Sequence, residues 1–180
     1  MLSSGKILGC RVVGLAGSAE KCTWLTKELG FDAAINYREG GLEDALRAAC
    51  PKGCDVFFDN VGGTILDAAL TVINQRSRVV LCGAISQYNS EKVEGPSNYL
   101  ALLKTRSTMQ GFIVLDFFRK YGEAHAQLAQ WIADGKLRWR VDVVKGLENA
   151  PTALLKLFDG SNLGKLAVQV SAVPEGSSKL

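Results

Sequence analysis

Cys54-Asp55-Val56-Phe57-Phe58-Asp59, the turn Val61-Gly62-Gly63, the apolar positions Ile65, Leu66, Ala69, Leu70 and Ile73, and then Val79-Val80-Leu81-Cys82 form the stretch that decides the fold. The two outer segments are short apolar runs of strand length. The positions between them recur at helical spacing, so the stretch predicts strand, turn, helix, strand. Continuous apolarity marks strands covered on both faces, as in a parallel sheet.

The same rhythm extends in both directions. Upstream, Arg11 to Leu15 is a strand closed by Ala16-Gly17-Ser18. Ser18 is placed to cap a helix with apolar positions Cys22, Leu25 and Leu29 and a stop at Gly30. Ala33 to Tyr37 is a second strand, and a helix on Leu42, Ala45, Leu46 and Ala49 ends before Pro51. Downstream, Leu100 to Leu103 lies in a helix and Met109 to Val114 in a strand. A helix carrying Tyr121, Ala124, Leu128, Trp131 and Ile132 stops at Gly135. The pattern then changes: Leu137, Trp139, Val141 and Val143 alternate with Arg138, Arg140 and Asp142, as in a half-buried edge strand. A helix on Leu154, Leu155 and Phe158, a strand from Leu166 to Val170 and a solvated tail complete the reading. The fold class is α/β, a doubly wound parallel sheet of Rossmann type.

Composition removes several classes of function. The chain has 180 residues, 47% hydrophobic and 22% charged, which fits one sizeable globular core. No apolar run approaches the roughly 18 residues of a spanning helix. A net charge of +3, evenly spread, gives no nucleic-acid footprint. The five cysteines (Cys10, Cys22, Cys50, Cys54, Cys82) are odd in number and lack framework spacing, so reduced, buried thiols and a cytoplasmic setting are expected. Cys50 and Cys54 bracket Pro51-Lys52-Gly53 without histidine partners, so no metal site is expected. The N-terminal residues do not form a secretory leader. The final Ser178-Lys179-Leu180 matches the peroxisomal import address, which has meaning only in a eukaryote.

Ligands of an open parallel sheet bind beyond the carboxyl ends of its strands. Those ends are Ala16-Gly17-Ser18, Asp59-Asn60-Val61-Gly62-Gly63, Gly83-Ala84-Ile85-Ser86 and Gly111-Phe112-Ile113-Val114, all with small or polar residues that permit close backbone approach. Where an NAD-binding domain places an acidic side chain for the adenine ribose, this chain has Gly17-Ser18, with Lys21 three residues on. A hydroxyl and a cation suit a 2′-phosphate, which favours NADPH over NADH. The plainer alternative is that Lys21 is a solvated lysine in a first helical turn, where the helix dipole slightly disfavours it.

Five motifs in order now carry a resemblance: GCRVVGLAGSAEKC (9–22), FFDNVGG (57–63), VVLCGAISQYN (79–89), QGFIVLDF (110–117) and GSNLGK (160–165). Together they resemble the medium-chain dehydrogenases/reductases that saturate conjugated enones, the zinc-free group of leukotriene B4 dehydrogenase, prostaglandin reductase and curcumin reductase. The resemblance implies NADP(H) as cofactor, with Ser18, Lys21 and Tyr37 at the 2′-phosphate and Asn60 near ribose and pyrophosphate. It implies Cys82, Gly83, Ile85 and Ser86 against the nicotinamide half, and Phe112, Ile113 and Val114 at the carboxamide. Asn162, Gly164 and Lys165 match a late loop over the cofactor, and Tyr88 matches a tyrosine close to the substrate, the candidate catalytic donor. It also implies hydride transfer to the β-carbon of an α,β-unsaturated ketone or aldehyde, with prostaglandin-, leukotriene- and curcumin-like enones all open, and a homodimer. His125, mid-helix, is read as a bystander.

The family's chain has a substrate-binding domain and a glycine-turn strand ahead of the region matched here, so the sheet is expected to be incomplete. In the order 3-2-1-4-5-6 that strand is central, and the strands at 11–15 and 54–58 would each keep an unpaired apolar edge. The pyrophosphate would likewise lack a helix N-terminus. Residues 1–136 are read as a partial NADP-binding domain, 137–171 as a segment returning to a substrate (GroES-like) domain, and 172–180 as a tail. The reading from another class is a non-catalytic remnant or isoform that binds nucleotide weakly or acts through association. In a full-length enzyme, Lys21→Ala is expected to weaken NADPH binding far more than NADH binding. Equal losses in fluorescence titrations of the two cofactors would count against the phosphate assignment.

Overall fold

A computed structural model describes residues 2–172. The Ser178-Lys179-Leu180 tripeptide lies outside the described residues. The chain divides into two compact units, Met1–Leu137 and Arg138–Leu180.

The first unit runs α1 (Leu2–Ile7), β1 (Val13–Ala16), α2 (Ala19–Thr23), β2 (Ala33–Asn36), α3 (Leu42–Ala49), β3 (Cys54–Asp59), α4 (Gly63–Leu70), β4 (Ile73–Leu81), α5 (Leu100–Thr105), β5 (Thr108–Gly111) and α6 (Tyr121–Ala133). All of its strand pairs are parallel. β1 pairs with β2, and β3-β4-β5 form a separate three-stranded sheet. Among the described residues β1 and β3 do not pair with each other, so the sheet is divided between the two strands expected to lack a common neighbour. Val56 of β3 is 58% exposed, so this strand is not covered on both faces as its continuous apolarity suggested.

The core lies under the three-stranded sheet. Leu66, Leu70, Ile73 and Val79 are buried together, with Phe57, Leu81, Leu102 and Met109 packed against them. Ile73 is therefore a core residue, as its spacing suggested, but it opens β4 and does not close a helix. α4 stops at Leu70 because the Thr71 and Val72 N–H groups turn back to the Ala68 and Ala69 carbonyls, each at 3.1 Å. β4 continues through the polar run Asn74-Gln75-Arg76 by means of a bulge, with Arg76 at φ 60° and a register shift opposite Cys54–Val56. Beyond the bulge the buried Ser77 donates its hydroxyl to Ser107 Oγ at 2.8 Å, and Ser107 donates to the Asn74 carbonyl at 3.1 Å.

Other boundaries differ as well: the strand read over 11–15 is Val13–Ala16, Tyr37 leaves β2 for a 3₁₀ turn, and the last strand is Lys165–Gln169. The helix after Ser18 is α-helical only to Thr23 and π-helical over Trp24–Glu28. There the Thr23 and Thr26 hydroxyls bond back to the Ala19 and Cys22 carbonyls, a competition that bends helices. β5 ends at Gly111, not at Val114, because the Asp116 carboxylate accepts the Ile113 N–H at 3.2 Å and starts a 3₁₀ turn over Val114–Lys120. Leu137 is not part of a strand: its N–H, like that of Lys136, donates to the Trp131 carbonyl at 2.9 Å and closes α6.

In the second unit β6 (Val141–Lys145) pairs in parallel with β7 (Lys165–Gln169), and α7 (Ala150–Asp159) connects them. Trp139 precedes β6 and is 54% exposed, and Val143 within β6 is 52% exposed while Asp142 is half-buried, so the half-buried alternation read from 137 does not hold here. Asp142 accepts from Lys156 Nζ at 2.9 Å and from the Leu163 N–H at 3.2 Å; the Lys156 bond, then the Leu163 N–H, holds its carboxyl below the ordinary range. Among the described residues no helix is long and apolar enough to cross a membrane.

Asp32 holds the start of β1. It accepts the Val12 N–H at 2.7 Å and the Lys6 ammonium at 3.0 Å, and these bonds, the backbone one first, lower its pKa. A carboxyl with a lowered folded-state pKa stabilises the fold above its unfolded value, and the benefit is lost as pH falls through the folded value. Asp32→Asn should therefore lower the urea midpoint at pH 7, and the difference from the unsubstituted chain should shrink as pH falls below the ordinary carboxylate range. A midpoint difference that does not shrink with acid would assign the effect to the hydrogen bond and not to the charge.

Candidate cofactor site

The carboxyl ends of β3, β4 and β5 are stitched into one ledge. Asp59, the last residue of β3, is 1% exposed, and its Oδ1 accepts the Val61 N–H at 2.8 Å and the Gly62 N–H at 3.0 Å. That turn sets Gly62 at φ +71°, a conformation side-chain-bearing residues rarely adopt, with its Cβ position 3.2 Å from the Ala84 methyl. The Asp59 carbonyl receives the N–H groups of Cys82 at 2.8 Å and Gly83 at 3.2 Å. Asn60 O accepts from Ile85 N, and Val61 O accepts from both Ser86 N and Ser86 Oγ, the last at 2.6 Å. Phe112 N donates to Leu81 O at 3.2 Å, and its ring lies 6.1 Å from Phe58 and 5.6 Å from Phe117.

Of the residues singled out from sequence, this brings together Asn60, Cys82, Gly83, Ile85, Ser86 and Phe112. Tyr88 joins them through its hydroxyl, which accepts the Ala84 N–H at 3.2 Å, while the residue as a whole is 63% exposed. Ile113 and Val114 are both exposed where the chain leaves β5.

A second cluster forms at the end of β1. Ser18 caps α2, its Oγ accepting the Lys21 N–H at 3.3 Å, which places Lys21 in the first turn. The Tyr37 ring lies over Gly17: a Cβ there would stand 2.7 Å from Tyr37 Oη and 3.3 Å from Arg38 Nε. A side chain at position 17 would therefore push the tyrosine aside, and Gly17 forms a cradle that the tyrosine occupies. In the second unit, Asn162 Nδ2 donates to Gly164 O at 2.9 Å and Lys165 N to Arg140 O at 2.8 Å, which shapes the loop before β7. His125 is on the surface of α6, its ring 6.0 Å from that of Tyr121.

Sequence reasoning missed Asp59, whose signal was the acidic residue directly before Asn60-Val61-Gly62-Gly63, and it missed Arg38. It also expected buried thiols, whereas the five free cysteines are half-buried at Cys22, Cys50 and Cys54 and exposed at Cys10 and Cys82. Cys10 and Cys82 are exposed because each sits in a turn just beyond its element. Apolar neighbours in sequence do not bury a residue at a strand's end.

Residues 2–133 match the family model described as zinc-binding dehydrogenase. The chain belongs to that family. It is 46% identical over 167 residues to the NADP-dependent 2-alkenal reductase of Nicotiana tabacum, covering 92% of this chain and 49% of that protein. It is 39% identical over 173 residues to the NADPH-dependent curcumin reductase of Escherichia coli, covering 93% of this chain and 50% of that protein. Its fold superposes on the crystal structure of CurA in complex with NADPH from Vibrio vulnificus at a TM-score of 0.89 and 42% identity, covering 96% of this chain and 53% of that one. The chain thus spans about half the length of the curated relatives it matches.

The family description names zinc, but the residues here do not fit it. Among the described residues no group of three or more His, Cys, Asp or Glu side chains could hold a metal ion. NADP(H) fits the residues better: small loops at three strand ends, and at a fourth a tyrosine and an arginine over a glycine, beside the turn capped by Ser18.

Burial, first of all, pushes the Cys54 thiol up to about 11, whereas Cys82 is exposed. At pH 8 only about 0.1% of Cys54 would be thiolate. Iodoacetamide should therefore alkylate Cys10 and Cys82 well before Cys54, as read by peptide mass spectrometry. Early labelling of Cys54 would contradict the burial described here.

Proposed function

We propose that this chain provides the NADP(H)-binding part of an oxidoreductase that reduces the C=C bond of α,β-unsaturated ketones and aldehydes. The observation that carries the reading is the cluster at the end of β1, where Tyr37 and Arg38 converge on Gly17 and Ser18 caps the turn that carries Lys21. The names of the relatives, alkenal and curcumin reductases that use NADP(H), support the same class of substrate.

On this reading Ser18, Lys21 and Tyr37 hold the 2′-phosphate and Asn60 the ribose–pyrophosphate region. Cys82, Gly83, Ile85, Ser86 and the Phe112–Val114 segment position the nicotinamide half. Asn162, Gly164 and Lys165 close over the cofactor, and residues 137–171 belong to the substrate domain. When bound, NADPH supplies the hydride. The loops stitched to Asp59 and Val61 fix backbone donors in place before the reaction, so little reorganisation is needed as charge develops. Tyr88 accepts the Ala84 N–H, which leaves its own O–H proton free to point outward. That proton stabilises the negative charge growing on the substrate carbonyl oxygen as the β-carbon is reduced. The enolate is then protonated at the α-carbon.

The test joins this chain to the remaining half of one of the curated relatives. The chimera should consume NADPH only when an enone such as 1-octen-3-one is added, followed by the loss of NADPH absorbance. The 180-residue chain alone should show little turnover. A chimera that binds NADPH but leaves it unconsumed with alkenals, alkenones and curcumin would overturn the reaction assigned here.

A further inference from the structure

The sequence offers one cation for a 2′-phosphate; the folded chain brings a second. Tyr37 and Arg38 share the 3₁₀ turn Tyr37–Glu39 that follows β2, and both reach back over the end of β1. Tyr37 Oη and Arg38 Nε lie within 3.3 Å of a single point, the place a Gly17 Cβ would occupy. Gly17 is not in the left-handed region, so what its missing side chain provides here is space for Tyr37 and Arg38. The turn is held by Asn36, whose Oδ1 accepts the Arg38 N–H at 3.2 Å and whose Nδ2 donates to Glu39 Oε1 at 2.8 Å. The neighbouring carboxylate is thereby drawn toward Asn36.

We infer that Arg38 is a specificity-determining residue for the 2′-phosphate, acting from the turn after β2 while Lys21 acts from the first turn of α2. This rests on the NADP(H) reading above. The two cations differ in kind. Lys21 is a compact point charge, whereas a guanidinium presents a planar fork of donors that matches phosphate oxygens two at a time. Placed beside the Tyr37 hydroxyl, the fork meets a phosphate dianion but has nothing to meet on a bare 2′-hydroxyl. Discrimination between phosphorylated and plain ribose is then shared by two elements.

Gly17, Lys21, Tyr37 and Arg38 all belong to the first unit, so the 180-residue chain can be tested as it is, by calorimetric titration with 2′,5′-ADP and with 5′-AMP. The unsubstituted chain should prefer 2′,5′-ADP. Arg38→Ala should weaken 2′,5′-ADP by roughly 10- to 100-fold, the scale of a charge-assisted pair, and leave 5′-AMP within about 2-fold. Arg38→Lys should recover only part of the loss, because it restores the charge without the fork. Arg38 is exposed, and an unchanged far-ultraviolet circular dichroism spectrum checks that each variant folds. If Arg38→Ala weakens both ligands equally, or neither, the inference fails. If Lys21→Ala removes the preference while Arg38→Ala keeps it, Arg38 alone is excluded and the cofactor reading survives. If the unsubstituted chain shows no preference for 2′,5′-ADP, both readings fall together.

Discussion

The arrangement at the strand ends depends on one buried residue, Asp59. Its carboxylate gathers the Val61 and Gly62 N–H groups while its carbonyl gathers those of Cys82 and Gly83. A single position thus sets the turn that launches α4 and the loop that follows β4. Its other carboxylate oxygen, Oδ2, is buried without a partner among the described residues. An unpaired buried acceptor is costly, so the turn is kept for what it positions, namely the ledge formed by Asn60, the Cys82–Ser86 loop and Phe112.

The second cluster is organised differently. At the end of β1 it is the absence of a side chain at Gly17 that lets the Tyr37 ring and the Arg38 guanidinium converge beside the capped first turn of α2. One end of the proposed cofactor site is built from backbone geometry and the other from side-chain charge. This division suits a ligand with a polar, phosphorylated end and an uncharged or weakly charged reactive ring. β1, which leads into the side-chain cluster, and β3, which ends in the Asp59 turn, each keep one open edge. Exposed, unpaired strand edges of this kind are ready templates for a further strand. In the second unit the pairing of β6 with β7 and the Asp142–Lys156 contact shape the loop that carries Asn162, Gly164 and Lys165.

Much of the alternation was legible because periodicity reports burial directly. The runs at Cys54–Asp59 and Val79–Leu81, the Ser18 cap and the stops at Gly30 and Gly135 all lie where local chemistry alone specifies them. Boundaries failed where a side chain overrode the pattern. Asp116 captured the Ile113 N–H and ended β5 early, and the threonines loosened the end of the α2 helix into π geometry. β4 was longer than its apolar run because a bulge at Arg76 let a polar stretch remain in the sheet and turned Ser77 inward to Ser107.

By itself, then, the sequence determined the α/β alternation, the family resemblance and most residues of the candidate site, since each depends on residue type and short-range spacing. Only the tertiary structure decided that Asp59 ties the turn after β3 to the loop after β4 and that Arg38 reaches the same glycine as Tyr37, whereas the parting of the sheet between β1 and β3 was already expected from the resemblance. These facts join residues about 20 positions or more apart, or concern which strands pair. Such choices are made by packing and backbone hydrogen bonding across the fold and leave no periodic trace along the chain.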